Sequence, residues 1–292
     1  GDVYKRQAAT GATVYLKRED LQAVRSYKVR GAFNFMLQLT PEERARGVVA
    51  ASAGNHAQGF AQACNDLGID GRIIVPRTTP QQKIQRIRHF GGERVTVQIE
   101  GSTYDDSSAL AKRYAERTGA LMVSAFDHPR TIAGQGTIGV EIRDQLGYDP
   151  DYIVVPIGGG GVLAGIAEYA REAMPNTKVI GMEPAGAASM IAACSAGKPV
   201  ELPEIDSFAD GAAVRRAGDV TYQMISGMDL ELHPVPEGRI AKEMLDLYQV
   251  DGIIAEPAGA IASASVGPER SFAPLEVPAG SSVAVSYTHL TL

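Results

Sequence analysis

The segment YIVVPIGGGGVLAGIAEYAREAM, Tyr152–Met174, contains three consecutive signals. The run Tyr152–Ile157 is β-branched and apolar, which reads as a strand buried on both faces. Gly158, Gly159, Gly160 and Gly161 follow at once, and Val162–Met174 then repeats its apolar residues at helical spacing. Strand, glycine turn and helix in that order make an anion site. Without Cβ atoms the backbone can approach a phosphate closely, and the first amides of the helix point at it with the positive end of the helix dipole. Four glycines alone could equally be a flexible turn. Their place between strand and helix argues for the anion site. The spacing is neither the dinucleotide pattern GxGxxG nor a Walker loop, which disfavours dinucleotides and ATP and leaves a compact phosphate-bearing cofactor.

Outward from this segment the same rhythm recurs. Strand-like Gly47–Ala51, Arg72–Val75 and Val95–Gln98 alternate with helical Asn55–Leu67, Pro80–Phe90 and Thr103–Thr118. After Tyr152–Ile157 and Val162–Met174 come Val179–Met182 and Ala187–Ala196. This punctuation predicts an α/β fold of two lobes, each a mostly parallel sheet covered by helices, with the ligand expected in a cleft between them. Gly267–Gly280 reads as a surface loop. Gly1–Gln7 and roughly Ser286–Leu292 fit no helix or strand period continuous with their neighbours. They are expected to be read-through or appended sequence, with the natural gene continuing on both sides.

Composition narrows the class. A chain of 292 residues with 45% hydrophobic and 21% charged content can bury sizeable cores. The formal net charge of -6 offers no basic stripe for nucleic acid and no polybasic cluster for an anionic membrane. Cys64 and Cys194 stand far apart in no zinc-ligand spacing, so a reduced, cytoplasmic setting is expected and no metal is assigned. Glu183 and Asp210 read as structural carboxylates rather than ligands of a cation.

Two further stretches carry chemistry. Arg25-Ser26-Tyr27-Lys28-Val29-Arg30-Gly31-Ala32 follows strand-like Thr13–Lys17. Ser26 is placed to cap a helix that carries Lys28 in its first turn, where the positive helix end and burial both lower a lysine pKa toward a nucleophilic amine. A single lysine is more often a solvated surface charge. Ser52-Ala53-Gly54-Asn55-His56-Ala57-Gln58-Gly59 follows Gly47–Ala51 and opens a helix. Its amides could hold a carboxylate while the Asn55 side chain reaches a nearby oxygen, or Asn55 could simply cap the helix. His56 has no visible partner for a triad.

Together these motifs resemble fold type II of the pyridoxal-phosphate enzymes, and most closely its threonine dehydratases. The matching stretches are LKREDLQAVRSYKVRGA (Leu16–Ala32), ASAGNHAQG (Ala51–Gly59), DHPRTIAGQGTIGVE (Asp127–Glu141), VPIGGGGVLAG (Val155–Gly165), FADGAAVRRAGD (Phe208–Asp219) and IAEPAGA (Ile254–Ala260). EPAGAASM at Glu183–Met190 is similar to the biosynthetic branch that serves isoleucine formation. The resemblance implies pyridoxal 5'-phosphate as cofactor, Lys28 as its Schiff-base lysine and catalytic base, and Asn55 as partner of its 3-hydroxyl. It also implies that Gly158–Gly161 and Val162 hold its phosphate and that Ser286 faces its ring nitrogen. Ser52, Ala53, Gly54, Asn55 and His56 would bind the substrate carboxylate. In the family the serine opens a Ser-Gly-(Gly/Ala)-Asn turn, whereas Tyr-Thr-His follows Ser286 here. The implied lobes are residues 24–135, with Lys28 and the Ser52–His56 loop, and residues 8–23 with 136–286, carrying the glycine loop. The implied reaction is dehydration and deamination of L-threonine to 2-oxobutanoate and ammonia by a homo-oligomer, dimer or tetramer. The same motifs leave open a serine dehydratase, a serine racemase, or an inactive cofactor-binding fragment.

Overall fold

The computed structural model describes residues 11–266 and 275–287. Along the first half run β1 (Thr13–Arg18), α1 (Lys28–Leu37), α2 (Pro41–Arg46), β2 (Val48–Ala51), α3 (Asn55–Leu67), β3 (Gly71–Val75), α4 (Gln81–Gly91), β4 (Val95–Ile99), α5 (Tyr104–Thr118), β5 (Leu121–Met122) and α6 (Pro129–Leu146). The second half contains β6 (Tyr152–Pro156), α7 (Gly161–Ala173), β7 (Lys178–Pro184), α8 (Ser189–Ala196), α9 (Asp219–Ser226), β8 (Glu231–Val235), α10 (Glu237–Asp251), α11 (Pro257–Ala264) and β9 (Ser282–Tyr287). By their contacts the described residues form two units, one of residues 22–134 and one of residues 11–21 with 135–287.

The unit of residues 22–134 holds a parallel sheet in the order β4-β3-β2-β5. Every residue of β2 is buried because helices cover both faces. Side-chain alternation divides its residues between two cores. Val48 and Ala50 join Ile73 and Val75 against Phe35 and Met36 of α1 and Phe60 of α3. Val49 and Ala51 join Ile74 against Leu110 and Ala111 of α5. The start of α5 is fixed by a capping box in which Thr103 and Asp106 exchange bonds with each other's backbone amides.

The other unit holds a parallel sheet in the order β1-β9-β6-β7-β8. Val154, Ile180, Met182, Val283 and Val285 pack with Ile240 and Leu247 of α10 and Ile261 of α11. β9 runs past Val285, where its sequence pattern ended, because its ladder with β1 continues: Lys17 pairs with Ser286 and Arg18 with Tyr287. That corrects the reading of these two residues as part of a tail without strand pattern. Residues 1–10 and 288–292 lie outside the described residues, as do residues 267–274 of the predicted surface loop.

α6 is an element that periodicity did not predict, since Gly134, Gly136 and Gly139 interrupt its sequence. In the structure they are points of close packing. A Cβ on Gly134 would stand 2.6 Å from the Arg30 carbonyl oxygen, one on Gly136 2.8 Å from that of Gly165, and one on Gly139 2.8 Å from the Tyr169 ring.

Ile73 is fully buried in β3. Ile73→Ala is predicted to cost about 2–5 kcal/mol of unfolding free energy through lost burial and a residual cavity. Chemical denaturation checks this, and a loss below about 1 kcal/mol would contradict the packing described.

Candidate active site

In the unit of residues 22–134 the sequence motifs meet at one edge of the sheet. α1 begins at Lys28 with Tyr27, not Ser26, in the N-cap position. Ser26 still serves the helix start, because its buried hydroxyl accepts the Lys28 amide at 3.3 Å. Arg25 bends the chain into this start with φ 62°, the left-handed region that non-glycine residues seldom occupy. The backbone of α1 then runs directly against α3. A Cβ on Gly59 would lie 2.8 Å from the Val29 nitrogen and 3.0 Å from the Lys28 carbonyl carbon. The Lys28 ammonium donates to the Ala125 carbonyl at 3.0 Å, with the rings of Tyr27 and Phe126 nearby at 5.4 and 6.0 Å.

The Ser52–His56 loop leaves the carboxyl end of β2, and Gly54 rather than Asn55 is the N-cap of α3. Asn55 is the first helical residue, so its side chain does not cap the helix. The Ser52 hydroxyl accepts the Gly54 amide at 3.3 Å, which tightens the loop. Amides in the first turn of a helix have no partner within it and can bind an anion. His56 is buried, and its Nε2 stands 2.9 Å from the Val123 carbonyl oxygen. A carbonyl only accepts, so Nε2 carries the proton, and the buried Nδ1 is an acceptor with no hydrogen-bond partner among the described residues. Burial first, and the charge of Lys28 second, press the His56 pKa down to about 4. This imidazole is neutral at physiological pH, so it is poorly placed to serve as a cation there.

In the other unit, the glycine turn leaves the carboxyl end of β6, and Ser286 lies toward the carboxyl end of the adjacent parallel strand β9. Ligands of parallel α/β sheets bind at this edge. Gly160 is the N-cap of α7 at φ 88°, where a side chain would be strained and its Cβ would meet Met190, Ile225 and Thr221 within 3.0 Å. A Cβ on Gly158 would stand 2.9 Å from the Ala212 Cα. The Thr221 hydroxyl donates to the Gly159 carbonyl at 2.7 Å and holds the turn in place. Ser286 is fully buried, yet its hydroxyl has no hydrogen-bond partner among the described residues. A buried hydroxyl without a partner costs about 1–3 kcal/mol, so it marks a place where a ligand atom completes the set. A cradle for phosphate and an orphaned hydroxyl on neighbouring strands fit a phosphorylated heteroaromatic cofactor.

Glu183 is a structural carboxylate. It is buried at the end of β7 and accepts the amides of Met190 and Ile191 at 2.8 and 2.9 Å, and burial raises its pKa to about 7 against these bonds. Among the described residues no group of three or more His, Cys, Asp or Glu stands together to hold a metal ion.

Parallel sheets, a glycine turn at one helix start and a lysine at another are features of α/β enzymes that use a phosphorylated cofactor. Residues 4–288 match the family model described as "Pyridoxal-phosphate dependent enzyme". The chain belongs to that family, and its fold is the type II architecture. It is 58% identical over 261 residues to the biosynthetic L-threonine dehydratase IlvA of Mycobacterium tuberculosis, and 53% identical over 270 residues to that of Corynebacterium glutamicum. These alignments cover 89% and 91% of this chain but 61% and 62% of those proteins, so the chain spans about three fifths of their length. The processed form of threonine deaminase isoform 2 from Solanum lycopersicum superposes with a TM-score of 0.89 at 38% identity, over 97% of this chain and 80% of that one. Maize serine racemase superposes at 0.87 with 30% identity, over 98% and 86% of the respective chains.

Sequence reasoning missed Thr221 and the contacts of Gly59. Thr221 lies too far along the chain from Gly159 for any local signal. Gly59 did give one, since a glycine inside a helix is costly unless close packing needs it.

Two outcomes follow. Gly59→Ala should push α1 and α3 apart and lower the unfolding free energy by about 1–3 kcal/mol, measured by denaturation; an unchanged midpoint would contradict the close approach. For His56 the unfolded chain takes up the proton first as pH falls. Its stabilising contribution is therefore full above pH 6.5 and lost between 6.5 and 4, a swing of about 3 kcal/mol. His56→Gln is predicted to flatten the pH dependence of unfolding in that window, and an equal slope in both proteins would refute it.

Proposed function

We propose that this chain dehydrates and deaminates L-threonine to 2-oxobutanoate and ammonia, as a threonine ammonia-lyase in isoleucine biosynthesis. The observation that carries the reading is the buried, unpartnered Ser286 hydroxyl on the strand beside the glycine turn. The named activities of the relatives support threonine as substrate.

When bound, pyridoxal phosphate withdraws electrons from the amino-acid Cα and makes its proton removable by a side chain. The amides of Gly158–Gly161 and Val162 would hold the phosphate, and the Asn55 side-chain amide would serve the 3-hydroxyl. Ser286 would offer the ring nitrogen a neutral hydroxyl. A neutral partner would leave that nitrogen uncharged, where a carboxylate would keep a proton on it. Lys28 would supply the amine that fixes the cofactor, and its Nζ would be the group that takes the substrate Cα proton. Ser52, Ala53, Gly54, Asn55 and His56 bind the substrate carboxylate through amides at the head of α3, which keeps the Cα–H bond in one orientation. The His56 ring keeps its Nε2 proton on Val123 throughout.

Among the described residues no helix is long and apolar enough to cross a membrane. A cytoplasmic homo-oligomer, dimer or tetramer, belongs to the same proposal.

Release of 2-oxo acid from L-threonine and L-serine, measured for the wild type and Lys28→Ala, tests this function. A one-methyl difference in an apolar pocket separates the two substrates by about 1–3 kcal/mol, so threonine is expected to lead with serine turned over more slowly. Lys28→Ala should lose several orders of magnitude in turnover, as when a covalent nucleophile and base go together. Near-native turnover in that variant, or serine processed in preference to threonine, would overturn the assignment.

A further inference from the structure

The segment that follows β5 presents three consecutive carbonyls to three side chains from different elements. The Val123 carbonyl takes the Nε2 proton of His56 at 2.9 Å, the Ser124 carbonyl takes the Thr131 hydroxyl at 3.1 Å, and the Ala125 carbonyl takes the Lys28 ammonium at 3.0 Å. Each end of this strap is fixed. At its start the Val123 amide donates to the Val49 carbonyl at 2.9 Å, joining it to β2. At its end the Ser124 hydroxyl accepts the amides of Asp127 and Phe126, at 2.9 and 3.5 Å, and folds the chain into the turn before α6. Thr131 is 1% exposed and bonds the middle carbonyl from the first turn of α6.

We propose that Thr131 is a positioning residue for Lys28: through Ser124 it fixes the Ala125 carbonyl on which the Lys28 amine docks whenever it is not joined to the cofactor. The inference rests on the role of Lys28 given under Proposed function. A lysine amine on four rotatable carbons explores a large volume, and its reaction rate depends on how often it stands within reach of its target. A rigid acceptor narrows that search. The dock acts when the amine is free, before cofactor is fixed and during the part of the reaction cycle when substrate has displaced it. The rings of Tyr27 and Phe126 flank the same position, and Phe126 belongs to the turn that Ser124 closes.

Thr131→Val keeps the shape of the side chain and removes its hydroxyl, whereas Thr131→Ser keeps the hydroxyl. Apo protein is mixed with pyridoxal phosphate, samples are reduced with borohydride at intervals, and the modified lysine is identified by peptide mass. In the wild type the label is expected on Lys28. In Thr131→Val it should appear there about tenfold more slowly, with kcat on threonine reduced by a similar factor and KM within about twofold of the wild type. Thr131→Ser should restore both to within about threefold. Ser124→Ala, which removes the turn-closing hydroxyl, is a second route to the same loss should Thr131→Val fold poorly by circular dichroism. Unchanged labelling and kcat in Thr131→Val, no recovery in Thr131→Ser, or KM rising in step with the fall in kcat would each overturn the positioning role while leaving Lys28 as the cofactor lysine. A label on another lysine in the wild type would overturn both.

Discussion

All strand pairs in both sheets are parallel, and the rest of the site depends on that constraint. A parallel strand delivers its chain to the same sheet edge as its neighbours, and the return path must pass through a covering helix. The loop after β2 and the strap after β5 therefore lie at the carboxyl edge of one sheet, and the glycine turn after β6 and Ser286 near the end of β9 at the carboxyl edge of the other, without any long excursion. At these edges helix starts bring unpaired amides, which suits a phosphate and a carboxylate better than any arrangement of cationic side chains in a chain of net charge -6.

Close backbone approach is the second means of positioning. Lys28 owes its place to the contact of α1 with α3 at Gly59, and the next turn of α1 meets α6 at Gly134. A side chain at either position would separate helices whose spacing sets where the lysine amine can go. The glycine turn after β6 follows the same logic, with Gly158 against Ala212 and Gly160 against Met190, Ile225 and Thr221. Side-chain hydrogen bonds then set the details: Thr221 holds the Gly159 carbonyl, and Thr131 holds that of Ser124.

Much of this was legible in the sequence. Gly158–Gly161 announced a turn between strand and helix because both signals bracket it, and the alternation from Gly47 to Thr118 gave the parallel α/β class. Asn55–Leu67 is the helix its periodicity predicts. What escaped lies where local pattern and tertiary packing disagree. α6 was hidden by glycines that weaken a helix in isolation and serve it in packing. β9 runs beyond its apolar stretch into Ser286 because β1 extends the ladder, a partnership more than 260 residues away along the chain. The N-cap before Lys28 was misplaced by one residue, and of the two readings left open for Asn55 the helix cap falls away, since tyrosine and glycine hold those cap positions without a side-chain bond. The roles proposed for Lys28 and Ser286 come from the motif resemblance, which no periodicity could have supplied.

The most direct measurement is the visible spectrum of the purified chain with added pyridoxal phosphate, before and after L-threonine, with 2-oxobutanoate assayed in the same cuvette. The proposed function predicts a cofactor band that shifts when threonine is added, accompanied by release of the 2-oxo acid. A folded protein that gives no band, or a band that threonine leaves unchanged while no product forms, would contradict it.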